Sequence, residues 1–218
     1  MDIPRDWTFK TADIAGGFDR HVREQLPWYD LTTGLIAHFA RHYIPEGGLV
    51  YDIGASTGNI GNALRDTLES RKAELVAVDN SEAMRSLYAG PGTFVVADAE
   101  RFEFKPFDLA VLFLTLMFIR PAVRADFVRR LAAQIRPGGA ILIFDKFLQG
   151  GGYVGTISAR LALAGKVAAG VDAREIVAKE MSLAGVQRPL ALREIEPCIE
   201  LFRFGDFAGY IIEGGVSV

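Results

Sequence analysis

The stretch that decides the fold is VYDIGASTGNIG, residues 50–61. A short apolar segment comes first, and glycines follow it at positions 54, 58 and 61. Glycine has no Cβ and tolerates positive φ, so a glycine-rich turn between a strand and a helix lets the backbone approach a ligand closely. The stretch therefore predicts a strand, a ligand-binding turn and a helix, in that order.

Outward from this stretch, apolar segments typical of strands alternate with helical ones. We predict strands over 49–53, 74–78, 93–96, 109–113 and 140–145, with helices near 57–69, 81–88 and 121–135 between them. Strands that show little internal alternation and are spaced by helices indicate a parallel sheet with helices on both faces. Two last strands, over 198–204 and 207–212, predict an antiparallel hairpin around Gly205-Asp206. The predicted fold class is α/β, with about seven mostly parallel strands and a C-terminal hairpin.

The predicted organisation is one domain. Residues 1–44 form an N-terminal arm and a helix over 28–43, which together cover the active site, and residues 45–218 form the ligand-binding core. After a glycine hinge at 149–152, the region 153–183 is predicted to hold one or two helices.

Composition limits the class of protein. The 218 residues carry a net charge of −3, so we expect no strongly basic surface for nucleic acid. Five arginines between residues 120 and 136 nevertheless keep an RNA-binding surface as an alternative. The longest apolar run, 109–119, is shorter than the ~20 residues of a membrane span. The N-terminus has no secretory signal pattern, and the single cysteine, Cys198, is interpreted as a core residue. We expect a cytoplasmic protein without membrane contact, and a homodimer is one possible assembly.

Three acidic residues near successive strand ends indicate the ligand. Asp52 beside the turn would repel a pyrophosphate but hold a cationic amino group. Asp79 ends the second strand, where a carboxylate accepts hydrogen bonds from both ribose hydroxyls, and Asp98 follows the third strand at the height of an adenine amine. An amino acid, a ribose and an adenine in this order describe S-adenosylmethionine (SAM), with S-adenosylhomocysteine as product.

Two other interpretations fit part of this pattern. Asp79 could cap a helix and Asp98 could be a plain loop residue, although Asn80 or Ser81 could cap that helix instead. The turn also resembles that of short-chain dehydrogenases, but none of the six tyrosines has a lysine four residues later, as those enzymes require.

Over nearly its whole length the chain resembles class I SAM-dependent methyltransferases, which have a Rossmann-like fold. It is most similar to the carboxy-S-adenosylmethionine synthase family, whose members carboxylate the sulfonium methyl with prephenate. The matching stretches include residues 51–56, 78–84, 136–140 and 204–205. The resemblance implies contacts to the nucleoside or the methionine part from Tyr29, Gly54, Ala55, Ser56, Asp79, Asn80, Asp98 and Ala99, to which the turn itself adds Asp52 and Gly58.

The chain also departs from that family. Phe113 stands where the family has a cofactor-contacting asparagine, and the C-terminal region lacks most of a helix where the family carries an arginine for the extra carboxylate. Methyl transfer from SAM to a small-molecule acceptor is therefore the predicted function. A synthase using prephenate and a catalytically inactive SAM-binding protein are the alternatives.

Candidate residues for catalysis and acceptor binding are few. His21, on the arm predicted to cover the methyl donor, is the candidate base, and Asp145-Lys146 at the fifth strand end could face the acceptor. His38 and His42 lie four apart without a third ligand, so no metal site is predicted. Candidate anion contacts are Arg23, Arg188 and Arg203.

Overall fold

The computed structural model describes residues 22–148 and 151–215. Seven strands form one sheet: β1 (Leu49–Ile53), β2 (Glu74–Asp79), β3 (Thr93–Val96), β4 (Phe107–Phe113), β5 (Ile135–Lys146), β6 (Ile199–Phe204) and β7 (Phe207–Glu213). Besides a helical stretch at residues 22–25, six labelled helices accompany it in the described part of the chain: α1 (Tyr29–Tyr43), α2 (Asn59–Ser70), α3 (Glu82–Leu87), α4 (Pro121–Ala132), α5 (Gly152–Ala168) and α6 (Ala173–Ser182). Short 3-10 turns lie at Leu116–Phe118 and Leu192–Glu194.

The strand order is β3-β2-β1-β4-β5-β7-β6. Pairings among β1 to β5 are parallel, and β7 pairs antiparallel with both β5 and β6. The order changes direction between β1 and β4. At such a switch point the connections leave in opposite directions and open a crevice at the carboxyl ends of the strands.

The core lies on both faces of the sheet. All seven residues of β4 are buried, so this strand contacts apolar side chains above and below. One cluster packs Phe127 and Leu131 of α4 against the sheet, and the opposite cluster packs Ile36 of α1 and Leu64 of α2. This arrangement confirms the predicted two-sided α/β sheet.

Glycine is required at the turn after β1. Gly54 has φ of 79°, and a Cβ there would lie 2.3 Å from Oγ1 of Thr115. Gly58 precedes α2 with φ of 98°, and a Cβ there would lie 2.6 Å from the backbone nitrogen of Gly90. Both positions combine left-handed backbone with close neighbours, so the predicted glycine turn is imposed by backbone geometry and packing.

Helices α5 and α6 form a cap outside the sheet. The structure has two helices where the sequence predicted one or two, and Lys166 Nζ of α5 pairs with Glu180 Oε1 of α6 at 2.9 Å. None of the residues of α5 is buried, and α6 buries only Ile176 and Ser182. The cap therefore covers one end of the sheet without joining the core. The predicted hinge residues 149–150 lie outside the described residues.

The hairpin turn lies beside the end of β5. Phe147 N donates to the carbonyl of Asp206 at 2.7 Å, so the turn between β6 and β7 is tied to the residue that follows β5. None of the helices within residues 22–148 and 151–215 is both long and apolar enough to span a membrane.

Candidate functional site

A cavity of about 660 Å³ lies at the carboxyl ends of the parallel strands. Its size is that of a small-molecule or cofactor site. The sheet topology divides its wall into two halves. Residues after β1, β2 and β3 line the first half, and the end of β5, the β6–β7 turn and the cap line the second. Phe113 at the end of β4 and the loop that follows it lie between the two halves, and the loop residues that line the cavity are Leu114, Thr115, Met117, Phe118 and Ile119.

Asp79 joins the turns that follow β1 and β2. Its Oδ2 accepts from Ser56 N and its Oδ1 accepts from Ser81 N, each at 2.9 Å. Burial raises the pKa of Asp79, and these backbone hydrogen bonds act in the opposite direction. Each carboxylate oxygen has more than one lone pair, so Asp79 can also accept hydrogen bonds from two ligand hydroxyls.

Asp52 is the most deeply buried acid of the first half. It is 2% exposed, and its Oδ2 has no hydrogen-bond partner within the described ranges. Burial, and secondly the charge of Asp79, raise the pKa of Asp52 to about 7. A cationic amino group at this wall would supply both a donor and a counter-charge.

Aromatic rings form one wall of this half. Tyr29 and Phe113 are both buried, and their ring centroids lie 5.0 Å apart. Phe113 also packs against Phe144 at 6.5 Å. Phe113, which stands where the resemblance implied an asparagine, is therefore an apolar residue that contacts Tyr29 by ring packing.

Asp98 lies at the exposed rim. Its Oδ1 accepts from Glu100 N at 3.0 Å, and its carbonyl accepts from the backbone of residues 101 and 102. These bonds order the loop after β3, where Asp98, Ala99 and Glu100 line the cavity.

The second half contains Lys146, Gln187 and Asp206. Lys146 Nζ lies 3.1 Å from Gln187 Oε1 and 3.4 Å from Asp206 Oδ2. Asp206 Oδ1 is buried and has no hydrogen-bond partner in the described part of the chain. This group combines a fixed cation with a carboxylate oxygen that can still accept a hydrogen bond.

The cap adds Lys166, Lys179 and Glu180 to the cavity wall. Burial, and then the charge of Lys166, lower the pKa of Lys179 to about 8. Burial alone would raise the pKa of Glu180, but the hydrogen bond from Lys166 and the charges of Lys146, Lys166 and Lys179 bring it below its usual value. The charges of all three lysines thus lower the pKa of Glu180, and these four side chains form one charged cluster.

Asp145 fixes the loop after β4. Its Oδ2 accepts from Thr115 N at 3.0 Å and Met117 N at 3.2 Å, and its Oδ1 accepts from Lys146 N at 2.8 Å. Burial raises its pKa to about 7 even though these amides favour the charged form. Asp145 therefore supports the wall of the cavity rather than facing an acceptor.

Arg124 holds the same loop from the other side. Its buried guanidinium donates to the carbonyls of Ile119 and Met117 at 2.9 and 3.2 Å, and to those of Arg188 and Pro189. Its Nη1 also lies 3.4 Å from Glu194 Oε2. This one side chain connects the segment after β4 to the segment that leaves the cap.

The structure brings most of the predicted cofactor residues to the cavity. Those that line it are Tyr29, Asp52, Gly54, Ala55, Ser56, Asp79, Asn80, Asp98 and Ala99. Gly58 is not among the residues that line it, and a Cβ at Gly58 would lie against Gly90 and the ring of Tyr88.

The predicted catalytic and anion-binding residues are placed differently. His21 lies outside the described residues. Arg23 contacts Asp30, Asn59 and the ring of Tyr29, and it is not part of the cavity lining. Arg188 contributes its backbone to the contact with Arg124, and Arg203 pairs with Glu200 and Tyr210 on the edge strand. The structure thus places none of these three arginines among the residues that line the second half of the cavity.

Sequence reasoning missed five polar residues of the second half: Lys166, Lys179, Glu180, Gln187 and Asp206. One local signal was available. Ala159, Ala162, Leu163 and Lys166 recur at helical spacing and form the cavity-facing side of α5. Nothing local marks the turn residue Asp206, which the sequence identified only as part of a hairpin.

Comparison with known sequences identifies relatives. Residues 50–139 match a family described as "Methyltransferase domain". The carboxy-S-adenosyl-L-methionine synthase of Wolinella succinogenes is 31% identical over 219 residues, which cover 93% of this chain and 91% of the relative. The synthase of Staphylococcus epidermidis is 27% identical over 212 residues, with the same coverage.

Solved structures share the fold at low sequence identity. An O-methyltransferase family protein from Burkholderia thailandensis has a TM-score of 0.61 at 18% identity, over 94% of this chain and 60% of that one. Human N-acetylserotonin methyltransferase, solved with SAM, has a TM-score of 0.59 at 12% identity, over 95% of this chain. The chain spans 58% of that human enzyme. The magnesium protoporphyrin IX methyltransferase of Synechocystis, solved with S-adenosylhomocysteine, has a TM-score of 0.57 at 15% identity, over 94% of this chain and 97% of that one.

Proposed function

The chain belongs to the carboxy-S-adenosyl-L-methionine synthase family and has the Rossmann-like fold of the SAM-using class I methyltransferases, and from this premise we propose that it is a methyltransferase. It transfers the methyl group of SAM to a small-molecule acceptor. The observation that carries the proposal is a single cavity that joins the three strand-end acids to a second, lysine-lined half.

The first half fits the methyl donor. Asp52 offers the amino group of SAM a buried carboxylate oxygen that has no other donor in the described residues. Asp79 is held by two backbone amides at the end of β2, where it accepts hydrogen bonds from the ribose hydroxyls. Gly54 allows the backbone to pass close to the ligand and to Thr115 at once. When bound, SAM supplies an electrophilic methyl group.

The second half supports a small acceptor. Methyl transfer needs alignment of donor and acceptor above all, and enclosed walls provide that alignment while excluding water. The loop after β4 lies between the halves and is fixed from both sides by Asp145 and Arg124. This rigid loop supports the proposal that the acceptor is positioned by the cavity rather than by an open surface.

A second candidate is carboxy-SAM synthesis, which the 31% identity to a synthase over 91% of its length favours. Against it, all cations among the described residues that line the cavity are lysines, and none is the arginine that the synthase resemblance implied. In addition, Phe113 stands where the synthase family has an asparagine that contacts the cofactor, and its ring packs against Tyr29 instead.

The test is the mass of the ligand that co-purifies with the full-length protein. After denaturation, SAM or S-adenosylhomocysteine in the mass spectrum supports the methyltransferase. A species heavier than SAM by one carbon dioxide overturns it in favour of the synthase. If SAM is bound but no S-adenosylhomocysteine forms with any acceptor offered, the chain is the inactive SAM-binding protein considered above.

A further inference from the structure

We infer that the second half of the cavity binds an uncharged methyl acceptor with two hydroxyl groups, one held by Gln25 and the other by Asp206. The inference rests on the proposed function, because it names the class of compound that receives the methyl group. Gln25 is then a binding residue that neither the glycine turn nor the family resemblance singles out.

Gln25 is a buried polar residue of the cavity wall. It is only 5% exposed, and its Oε1 is buried without a hydrogen-bond partner in the described ranges. Such an oxygen is unfavourable in the folded chain, because folding has removed it from water and has supplied no other donor. A ligand that donates a hydrogen bond to Gln25 replaces the lost one.

The same shortage of donors recurs around the cavity. In the part of the chain that the structure describes, three buried side-chain oxygens have no partner: Gln25 Oε1, Asp52 Oδ2 and Asp206 Oδ1. All three residues line this one cavity. Unpaired buried oxygens are rare in folded proteins, so three of them at one cavity indicate ligands that are rich in hydrogen-bond donors. The amino group of SAM pairs with Asp52 in the proposed function, which leaves Gln25 and Asp206 for the methyl acceptor.

The segment that carries Gln25 is held against the hairpin turn. Residues 22–25 are helical, and Leu26 N donates to the carbonyl of Val22 at 2.9 Å. The ring of Trp28 packs on that of Phe207, the residue after Asp206, at a centroid distance of 4.5 Å. This contact joins the segment before α1 to the turn between β6 and β7, so Gln25 and Asp206 belong to two elements that pack together.

Gln25 also lies on the side of its helical turn that is turned away from the first half. Successive residues of a helix are rotated by about 100°, so Gln25 is rotated by about 200° from Arg23. Arg23 Nη2 donates to Asn59 Oδ1 at 3.0 Å, at the start of α2 in the first half. The opposite side of the turn, where Gln25 lies, therefore faces the second half.

The charges of the second half balance, because each of its lysines has an acid. The pairs are Lys146 with Asp206 at 3.4 Å, Lys166 with Glu180 at 2.9 Å, and Lys179 with the charge of Glu175, which favours its protonated form. A charged methyl acceptor would disturb this balance in a site that is partly removed from water. An uncharged one leaves it intact.

Hydroxyl groups fit both polar positions. A hydroxyl donates to Asp206 without adding charge beside Lys146, whereas an aliphatic amine is protonated at neutral pH. A hydroxyl both donates and accepts, so it pairs with either end of the Gln25 amide. Phe118 and Leu183 contribute apolar side chains to the same lining, so the body that carries the two hydroxyls is apolar.

The test measures the binding of small phenols to the full-length protein saturated with S-adenosylhomocysteine. Phenol carries one hydroxyl, and catechol, resorcinol and hydroquinone carry two at different spacings. We expect calorimetry to give at least one of these diols about 10-fold tighter binding than phenol, as a further hydrogen bond to a buried oxygen provides. Equal affinities for all four compounds would overturn the inference.

Charged probes test the balance of charge. 3,4-Dihydroxybenzoate adds a carboxylate to catechol, and dopamine adds an ammonium group. We expect neither compound to bind more tightly than catechol, because the lysines and acids of the second half already neutralise each other. A gain of about 10-fold for either one would show that this half selects a charge, and would overturn an uncharged methyl acceptor.

The variant Gln25→Met keeps the length of the side chain and removes the amide. The preferred diol should bind about 10-fold more weakly, whereas phenol should be unaffected because its single hydroxyl uses Asp206. S-adenosylhomocysteine should also bind as before. Gln134→Met is the matched control, since Gln134 lies outside the cavity lining. Weaker S-adenosylhomocysteine binding with an unchanged preference for the diol would place Gln25 at the methyl donor and overturn its role here.

Unfolding of the ligand-free protein gives an independent readout. Gln25→Met removes a buried oxygen that lacks a partner, so we expect the urea midpoint to rise above that of the wild type. Gln134→Met should leave the midpoint unchanged. A lower midpoint for Gln25→Met would show that the amide supports the fold, which would overturn its role as a ligand contact.

Failure of this inference is distinguishable from failure of the proposed function. If S-adenosylhomocysteine does not bind to the wild type, the proposed function fails. If it binds but no diol binds more tightly than phenol, only the inference about the methyl acceptor is overturned. If a diol binds through Gln25 but yields no S-adenosylhomocysteine when SAM is supplied, the binding site stands and methyl transfer to that diol is refuted.

Discussion

At the scale of single residues, two buried carboxylates have different roles although burial raises the pKa of each to about 7. Asp145 accepts two backbone hydrogen bonds from the loop it holds and a third from Lys146 N. Asp52 keeps an oxygen without a partner in the described residues and lines the donor half of the cavity. The number of local donors therefore distinguishes a structural acid from one available to a ligand.

Cofactor binding should depend on pH through Asp52. Below its pKa of about 7 the carboxyl is neutral and cannot balance the ammonium of the ligand, so affinity should rise with pH and level off above 7. We expect about a 10-fold loss of S-adenosylhomocysteine affinity per pH unit below 7, measured by calorimetry. Asp52→Asn should bind weakly with a flat pH profile, and a flat profile in the wild type would refute the role.

The ribose contact is tested at Asp79. Asp79→Ala removes a charged acceptor and releases the amides of Ser56 and Ser81, so S-adenosylhomocysteine should bind about 10- to 100-fold more weakly. Asp126→Ala, which removes an exposed acid of α4, serves as the control. Equal affinities for the two variants would rule out Asp79 as the ribose anchor.

At the scale of elements, the β1–α2 turn and the loop after β4 are built against each other. Thr115 Oγ1 donates to the carbonyl of Ile53 at 2.8 Å, and this side chain occupies the space beside Gly54. A side chain at position 54 would therefore displace Thr115 and, with it, the loop between the two halves of the cavity.

The contrast between two glycines tests this packing. Gly54→Ala should destabilise the fold and weaken S-adenosylhomocysteine binding, because its Cβ meets Thr115 at 2.3 Å and the backbone has φ of 79°. Gly138 has φ of 80° but no heavy atom within 4 Å, so Gly138→Ala should lose only about 1 kcal/mol and bind normally. Urea unfolding and calorimetry compare the two, and equal binding would show that the turn tolerates a side chain.

The connection through Arg124 is tested by removing its charge. Arg124→Met removes one donor from each of four carbonyls and from Glu194, of which Met117 keeps Arg188 N and Glu194 keeps Ala191 N. We expect a loss of about 3 kcal/mol in unfolding free energy. Arg129→Met on the same helix alters an exposed pair and should change stability by less than about 0.5 kcal/mol. Similar losses in the two variants would show that the buried network contributes little.

At the scale of the whole molecule, a ligand site that holds a buried acid reduces stability. The folded pKa of Asp52 lies above its unfolded value, so the folded state binds more protons and this group's contribution to stability falls as pH rises toward 7. The proposed contact of Asp52 with a cationic amino group at neutral pH therefore requires an ionised carboxylate that the folded chain alone disfavours.

The Asp52→Asn variant tests this contribution of Asp52 to the pH dependence of stability. The variant lacks the titration, so relative to wild type it should gain about 1–3 kcal/mol of unfolding free energy between pH 5 and pH 8. Urea unfolding at the two pH values measures the difference. A gain at pH 5 that disappears at pH 8 would reverse the predicted sign.

The sequence by itself determined the sheet and the first half of the cavity. Apolar runs, glycine positions and breaker residues are local signals, and the carboxyl ends of neighbouring parallel strands meet at one edge, so Asp52, Asp79 and Asp98 had to converge. Only the tertiary structure decided the rest of the second half, of which the sequence had predicted Lys146 at the end of the fifth strand. Lys166, Lys179, Gln187 and Asp206 come from two cap helices, a loop and a hairpin turn, which no periodicity relates. Their meeting depends on how the cap packs over the sheet, because packing between distant elements is set by the summed contacts of the fold and not by any one segment.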